Sequence, residues 1–220
     1  MENIIVYDQN VKEYENWFIK NDKIFQSEVE AIRQLIPAWK NGIEIGAGTG
    51  LFSEKLGLKR GIEPSYNMRQ KAIERGLDVI DAVGEEIPLD DKTCDFVLMV
   101  TVDCVLKDIF KCFKETWRIL ENEGYLVIAF IDRETPLGAL YDEKKNESVF
   151  YENANFHSSE EIRNLLKIAG FNIVDERQTV FSFENKLHKI KKGTGEGVFA
   201  IIKAKKSFLD KINTWSENQQ

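Results

Sequence analysis

Seven consecutive residues, Glu44-Ile45-Gly46-Ala47-Gly48-Thr49-Gly50, carry the most specific chemical signal in this sequence. Glycines at alternate positions let the backbone bend sharply and let a ligand approach without a Cβ in the way. A loop of this kind, leaving a strand and entering a helix, lies where doubly wound sheets bind ligands. Glu63 closes the next apolar run, in Gly61-Ile62-Glu63-Pro64-Ser65. A carboxylate at that strand end can accept hydrogen bonds from both hydroxyls of a ribose. Met68 comes one helical turn later, either as an apolar wall for a planar base or as core. Two commoner nucleotide patterns fail: Leu51 stands where GxGxxG needs its third glycine, and no Gly-Lys-Ser/Thr is present for a phosphate loop.

Candidates for proton transfer are fewer. Asp103, in Thr101-Val102-Asp103-Cys104, is an acceptor-facing acid or base, or else the cap of a helix. His157, beside Ser158 and Ser159, is a base or a support for the turn that starts a helix, and His188 has the same ambiguity. Cys94, Cys104 and Cys112 form no CxxC pair and have no neighbouring histidine, so neither a zinc site nor a redox pair is expected.

Positioning these residues calls for alternating strands and helices, and the sequence has that alternation. Gly42 to Gly46, Arg60 to Glu63, Asp78 to Val83, Asp95 to Val100 and Tyr125 to Ile131 read as five buried parallel strands. Val105, Ile109, Phe113, Trp117 and Leu120 recur at near-helical spacing, as do Ile162, Leu165, Leu166 and Ala169. Ser158 or Ser159 ahead of Glu161 suits the start of the second of these helices. After Gly170, Phe171 to Phe183 and Gly197 to Lys205 read as two long strands forming an antiparallel pair at the sheet edge. The connection from Asp132 to His157 shows no obvious regular structure and reads as a lid or binding loop carrying Tyr141, Phe150, Tyr151 and Phe156.

With 220 residues and 43% hydrophobic side chains, the chain is expected to form one domain around one core. Its net charge of −7 argues against a surface built to neutralise phosphates, so no nucleic-acid partner is expected. The Lys-rich stretch from Lys186 to Lys192 reads as a solvated loop. No signal peptide or membrane span is apparent, and a cytoplasmic location is the expectation.

The Glu44 to Gly50 loop resembles motif I of the class I S-adenosylmethionine-dependent methyltransferases. Gly84-Glu85-Glu86-Ile87-Pro88-Leu89, then Cys94-Asp95-Phe96-Val97, resembles that family's segment between strands three and four. Glu115 and Arg118-Ile119-Leu120, then Gly124-Tyr125-Leu126-Val127-Ile128, resemble the run leading into strand five. Tyr14-Glu15-Asn16-Trp17-Phe18 is similar to the N-terminal helix of the small-molecule branch that includes ubiquinone-biosynthesis methyltransferases. Val83 stands where many relatives have an Asp, and Asn122-Glu123 replaces the usual Pro-Gly before strand five.

The resemblance implies a Rossmann-like α/β fold, doubly wound, with a mostly parallel seven-stranded sheet, an antiparallel edge strand and helices on both faces. Within it, residues 1–38 would form a helical cap, 39–131 the cofactor core, 132–157 a substrate lid, 158–205 a helix and edge strands, and 206–220 a helix or tail. The implied cofactor is S-adenosylmethionine. Glu44, Gly46, Ala47, Gly48, Glu63, Pro64, Ser65 and Met68 would surround it. Gly84, Glu85 and Glu86 would run along the adenine edge, Tyr14 and Trp17 would close over the methionine end, and Thr101 and Val102 would border the cofactor where the acceptor enters after strand four. The acceptor would be a small molecule methylated on N or O, an amine being one candidate, and the protein a monomer or homodimer. Other functions stay open: a non-catalytic cofactor sensor or partner subunit, a protein or RNA methyltransferase, and an NAD-dependent oxidoreductase.

Overall fold

The structure is a computed structural model that describes residues 2–207, the side chain of Glu2 excepted. From residue 208 onward, the tail expected over 206–220 lies outside the described residues. Three helices come first: α1 (Glu2–Gln9), α2 (Val11–Lys20) and α3 (Asp22–Arg33). Strands and helices then alternate through β1 (Gly42–Ile45), α4 (Leu51–Leu56), β2 (Arg60–Ile62), α5 (Tyr66–Glu74), β3 (Asp78–Ile80), β4 (Cys94–Val100) and α6 (Ile109–Ile119). The remainder comprises β5 (Leu120–Ile131), α7 (Pro136–Glu143), α8 (Ser159–Ile168), β6 (Phe171–Thr179), β7 (Lys191–Lys192) and β8 (Phe199–Lys206).

The described strands form one sheet in the order β3-β2-β1-β4-β5-β8-β6-β7, the first five parallel. Strand β8 pairs antiparallel with both β5 and β6 and sits two places in from the end of the sheet, where β7 pairs antiparallel with β6. The two-residue strand β7 brings the total to eight where seven were expected. It is too short and too Lys-rich to read as a strand, and it exists because it pairs with Arg177 and Gln178 of β6.

Period-two alternation sorts the core into two layers. Phe96, Leu98 and Val100 of β4, with Val127, Ala129 and Ile131 of β5, face α3 and α4. Val97 and Met99, with Leu126, Ile128 and Phe130, face α6 and α8 on the other side. Ser158 caps α8 with a full capping box to Glu161, one of the two starts expected. Asp108 caps α6, so Val105 falls in the preceding 3-10 turn, and Leu120 leaves the helix to begin β5.

The 132–157 connection is not structureless. Thr135 accepts a hydrogen bond from the Gly138 N–H at 3.1 Å, and Pro136 opens α7 with its φ already set for a helix. Strand β3 stops at Ile80, short of the expected Val83, which instead bridges to Glu86 in a tight turn.

Candidate active site

The sheet order reverses between β1 and β4, and a cavity of about 860 Å³ opens over the carboxyl ends of these strands. Ile45 and Gly46 of the β1 end and Val100 to Val102 of the β4 end form its floor. Gly46 has φ +72°, and a Cβ there would lie 2.4 Å from Val102 Cγ2, so a bare backbone at this point is what lets the two strand ends close up. A Cβ on Gly48 would lie 3.3 Å from the Tyr14 hydroxyl, so that ring reaches the β1 loop across the mouth of the cavity.

Glu63 borders the cavity just past β2. Its two oxygens accept the Gly48 N–H and the Ser65 N–H, each at 2.8 Å. Burial raises its pKa, and those two N–H groups partly offset the rise. Pro64 also borders the cavity, whereas Ser65 caps α5 from behind and donates to Asp8 at 3.0 Å.

Helix α1 spans the opening. Asn3 donates to the Val105 carbonyl at 3.1 Å, and Asp8 accepts the Asn67 N–H at 2.7 Å, so one end is tied to the turn after β4 and the other to α5. Tyr7 hangs from this helix against Tyr14 and Phe150, with ring centroids 6.0 and 5.1 Å away.

Gly84, Glu85 and Glu86 form one wall. Arg118 anchors the chain just beyond them by donating to the Leu89 and Ile87 carbonyls at 2.6 and 2.8 Å while it pairs with Glu115. Glu85 accepts the Lys107 N–H at 2.8 Å, which joins this wall to the start of α6. Two β-branched residues on the cavity surface hold left-handed backbone: Thr101 at φ +49° and Val180 at φ +60°. Strain of this kind, on the order of 1–3 kcal/mol per residue, tends to collect at binding sites.

The expected site residues divide accordingly. Tyr14, Trp17, Gly46, Gly48, Glu63 and Pro64 border the cavity, as do Gly84, Glu85, Glu86, Thr101 and Val102. Glu44, Ala47, Ser65 and Met68 stand behind its surface. Met68 is fully buried core, the blander of its two readings, and Ala47 packs against Gly61 of β2. Glu44 is buried beneath the loop, where the Ser53 hydroxyl donates to it, and burial lifts its carboxyl to about 8.

Asp103 and His157 come together: His157 Nδ1 lies 3.0 Å from Asp103 Oδ2, with both side chains buried. The pair sits behind the cavity wall, and its neighbours Val102 and Val105 do the lining. Burial raises the Asp103 carboxyl, and the His157 hydrogen bond partly offsets the rise. The aromatic residues of the 132–157 segment divide as well: Tyr141, Phe150 and Tyr151 reach the cavity, and Phe156 is buried in the core.

Glu28 is a cavity residue that the motifs do not point to. It lies on the buried face of α3, four residues from both Ile24 and Ile32. A carboxylate on an otherwise apolar stripe is the signal that the sequence offers for it. Among the described residues no group with three or more His, Cys, Asp or Glu side chains could hold a metal, and no helix is long and apolar enough to cross a membrane.

Comparison with known proteins places this geometry. A family model described as a methyltransferase domain matches residues 43–128. An uncharacterised protein of Methanocaldococcus jannaschii is 40% identical over 203 residues, covering 91% of this chain and 98% of that one. An uncharacterised Mycobacterium tuberculosis protein is 35% identical over 171 residues, 76% of this chain and 60% of its own length. A Thermotoga maritima crystal structure, described as an S-adenosylmethionine-dependent methyltransferase and possible histamine N-methyltransferase, superposes with a TM-score of 0.89 at 40% identity, covering 92% of this chain and 99% of that one. A Haloferax volcanii methyltransferase, solved with its Trm112 activator, shares the fold alone, with a TM-score of 0.70 at 14% identity over 91% of this chain and 97% of that one.

Proposed function

Since this chain belongs to the S-adenosylmethionine-dependent methyltransferases, we infer that its cavity aligns that cofactor with a small-molecule acceptor and moves the methyl group to N or O. The observation that carries this reading is the continuity of the cavity. One space runs from Gly46, Gly48 and Glu63 to a chamber lined by Glu28, Tyr141 and Phe199, beneath the N-terminal helices. A volume of about 860 Å³ falls within the range of about 300–1,000 Å³ usual for small-molecule sites.

The donors and acceptors at the β-strand ends suit an adenosyl sulfonium. Each Glu63 oxygen accepts one backbone N–H and keeps acceptor capacity for a ribose hydroxyl. The loop from Gly46 to Gly48 offers bare backbone, and Gly84 to Glu86 offer a wall for a flat base. The Glu63 carboxyl, whose charged form the Gly48 and Ser65 N–H groups favour, gives the loop side an acceptor hospitable to positive charge.

The cofactor supplies an electrophilic methyl group and a neutral thioether leaving group. The protein's part is alignment and exclusion of water. Tyr7, Tyr14 and Phe150 close the β1 side, Thr101 and Val102 set the floor, and Tyr141 and Tyr151 close the far side. Asp103 and His157 act on this reading as a positioning pair that fixes the turn beneath Val102 and Val105.

The test is calorimetry with S-adenosylmethionine, then a radiolabelled methyl-transfer screen over amines, phenols, alcohols and carboxylates. Cofactor binding with turnover of a small acceptor is the expected result. Binding without product from any acceptor class would favour a cofactor sensor. Transfer only to protein or RNA would overturn the small-molecule reading.

A further inference from the structure

The far chamber contains a buried carboxyl group that none of the described residues engages. Glu28 is 8% exposed and borders the cavity, yet no hydrogen bond or ion pair to it is found among the described residues. Its neighbour Ser27 is fully engaged, donating to the Lys23 carbonyl at 2.8 Å and accepting the His188 N–H at 2.9 Å. Every other buried carboxylate around this site has a partner: Glu44 has Ser53, Glu63 has Gly48 and Ser65, and Asp103 has His157.

An ionised carboxylate without a partner is costly to bury, so a buried carboxyl holds its proton until a cation arrives to pair with it. Burial alone lifts Glu28 to about 8, with no cation among the described residues bringing it down. Burial raises the hydroxyl pKa values of Tyr14 and Tyr141, and both lie close enough for a Glu28 charge to add to the rise. Tyr14, Phe18 and Phe52 form a linked set of rings on the same side, with centroid separations of 5.0 Å for Tyr14–Phe18 and 5.9 Å for Phe18–Phe52. A carboxylate among aromatic faces is a receptor for an organic cation, through ion pairing and cation–π attraction together. An anionic acceptor would oppose ionisation of Glu28, and a neutral one would gain no ion pair from it.

We propose that Glu28 is the acceptor-recognition residue and that the acceptor carries a protonated amine, seated between Glu28 and the rings of Tyr14, Phe18 and Tyr141. This rests on the methyltransferase reading for the identity of the acceptor, and on Glu28 alone for its charge. Lys144 and Lys145 border the same cavity on the α7 side. Lys145 is committed to Asp142 at 3.2 Å and to the Ala154 carbonyl at 3.3 Å, so it does not neutralise Glu28.

The test uses three matched probes, 2-phenylethylamine, 2-phenylethanol and 3-phenylpropionate, with shorter and longer alkylamines to cover chamber size. Binding is measured by calorimetry on the full chain, first alone and then saturated with S-adenosylhomocysteine. At least one amine should bind tenfold or more tightly than its alcohol and its carboxylate. Glu28→Gln should abolish that preference while changing S-adenosylhomocysteine affinity less than threefold, and Glu28→Asp, which keeps the charge, should retain part of it.

Equal binding of amine and alcohol, absence of binding by every amine, or an unchanged preference in Glu28→Gln would each overturn the proposal. Failure of the methyltransferase reading looks different. Amine preference that depends on Glu28 in a protein that binds no S-adenosylmethionine would sustain this proposal and sink that reading.

Discussion

His157 Nδ1 meets Asp103 Oδ2 at 3.0 Å across 54 residues of chain, joining the turn after β4 to the approach of α8. The Asn155 N–H donates to the Cys104 carbonyl at 2.8 Å and reinforces the same junction. Removing the charge should therefore act mainly on structure. Asp103→Asn is expected to destabilise the fold by about 1–3 kcal/mol and to change S-adenosylmethionine affinity less than threefold, as read by chemical denaturation and calorimetry. A loss of kcat of a hundredfold or more with unchanged stability would give Asp103 a direct part in the chemistry instead.

Glu63 braces the loop and, on the proposed reading, also holds the cofactor's ribose. Glu63→Ala is expected to weaken cofactor affinity by about 1.5–3 kcal/mol, the scale of lost charge-assisted hydrogen bonds. It also frees the Gly48 and Ser65 N–H groups. Glu63→Gln, which can still accept one of them, should lose less. Calorimetry on both variants checks the order; equal affinity for wild type and Glu63→Ala would remove the ribose from this position.

The closeness of β1 and β4 is testable as a coupling. Gly46→Ala should lower both stability and cofactor affinity, since its Cβ would meet Val102 2.4 Å away on a backbone at φ +72°. Val102→Ala makes room, so the double variant should recover part of the loss. A double-mutant cycle measures the coupling, expected in the range of about 0.5–3 kcal/mol. Strict additivity would mean that the two side chains do not press on each other.

Buried acids also set the pH response. Glu28 and Glu44, lifted to about 8 by burial, hold protons more tightly in the folded protein than in the unfolded chain. The stability they contribute is complete below the unfolded carboxylate range, near ~4.3, and is lost as pH rises toward 8. Burial acts in the same direction at Glu63 and Asp103. Glu115 acts oppositely: Arg118 holds its carboxyl low, so its contribution is lost as pH falls through that depressed value. Unfolding free energy should therefore be greatest near pH 5 and decline toward pH 8. Glu28→Gln should flatten the decline by on the order of 1–4 kcal/mol, at about 1.4 kcal/mol per pKa unit. Urea denaturation at the two pH values checks this, and a variant curve parallel to wild type would contradict it.

The sequence is most legible where one physical rule acts alone. The continuous apolar run from Phe96 to Val100 and the glycine spacing at Gly46 to Gly50 identify strand and loop without help from distant residues. Helix α7 is hidden because Pro136 and Gly138 read as breakers; in place, Pro136 is a favoured first residue and Thr135 its cap. Glu28 is hidden because α3 reads as part of a cap, in which one charged residue on the apolar stripe is averaged away. The Asp103–His157 contact is a product of topology, and local spacing carries no trace of it. Met68 satisfies both of its readings in sequence, and only its complete burial separates them.

The position of the cofactor decides between these assignments and any other. A crystal structure of the protein grown with S-adenosylhomocysteine should place the ribose hydroxyls within hydrogen-bonding distance of Glu63 and the amino acid end beside Gly46 and Gly48. Density for that ligand elsewhere, or a ribose with no contact to Glu63, would contradict them.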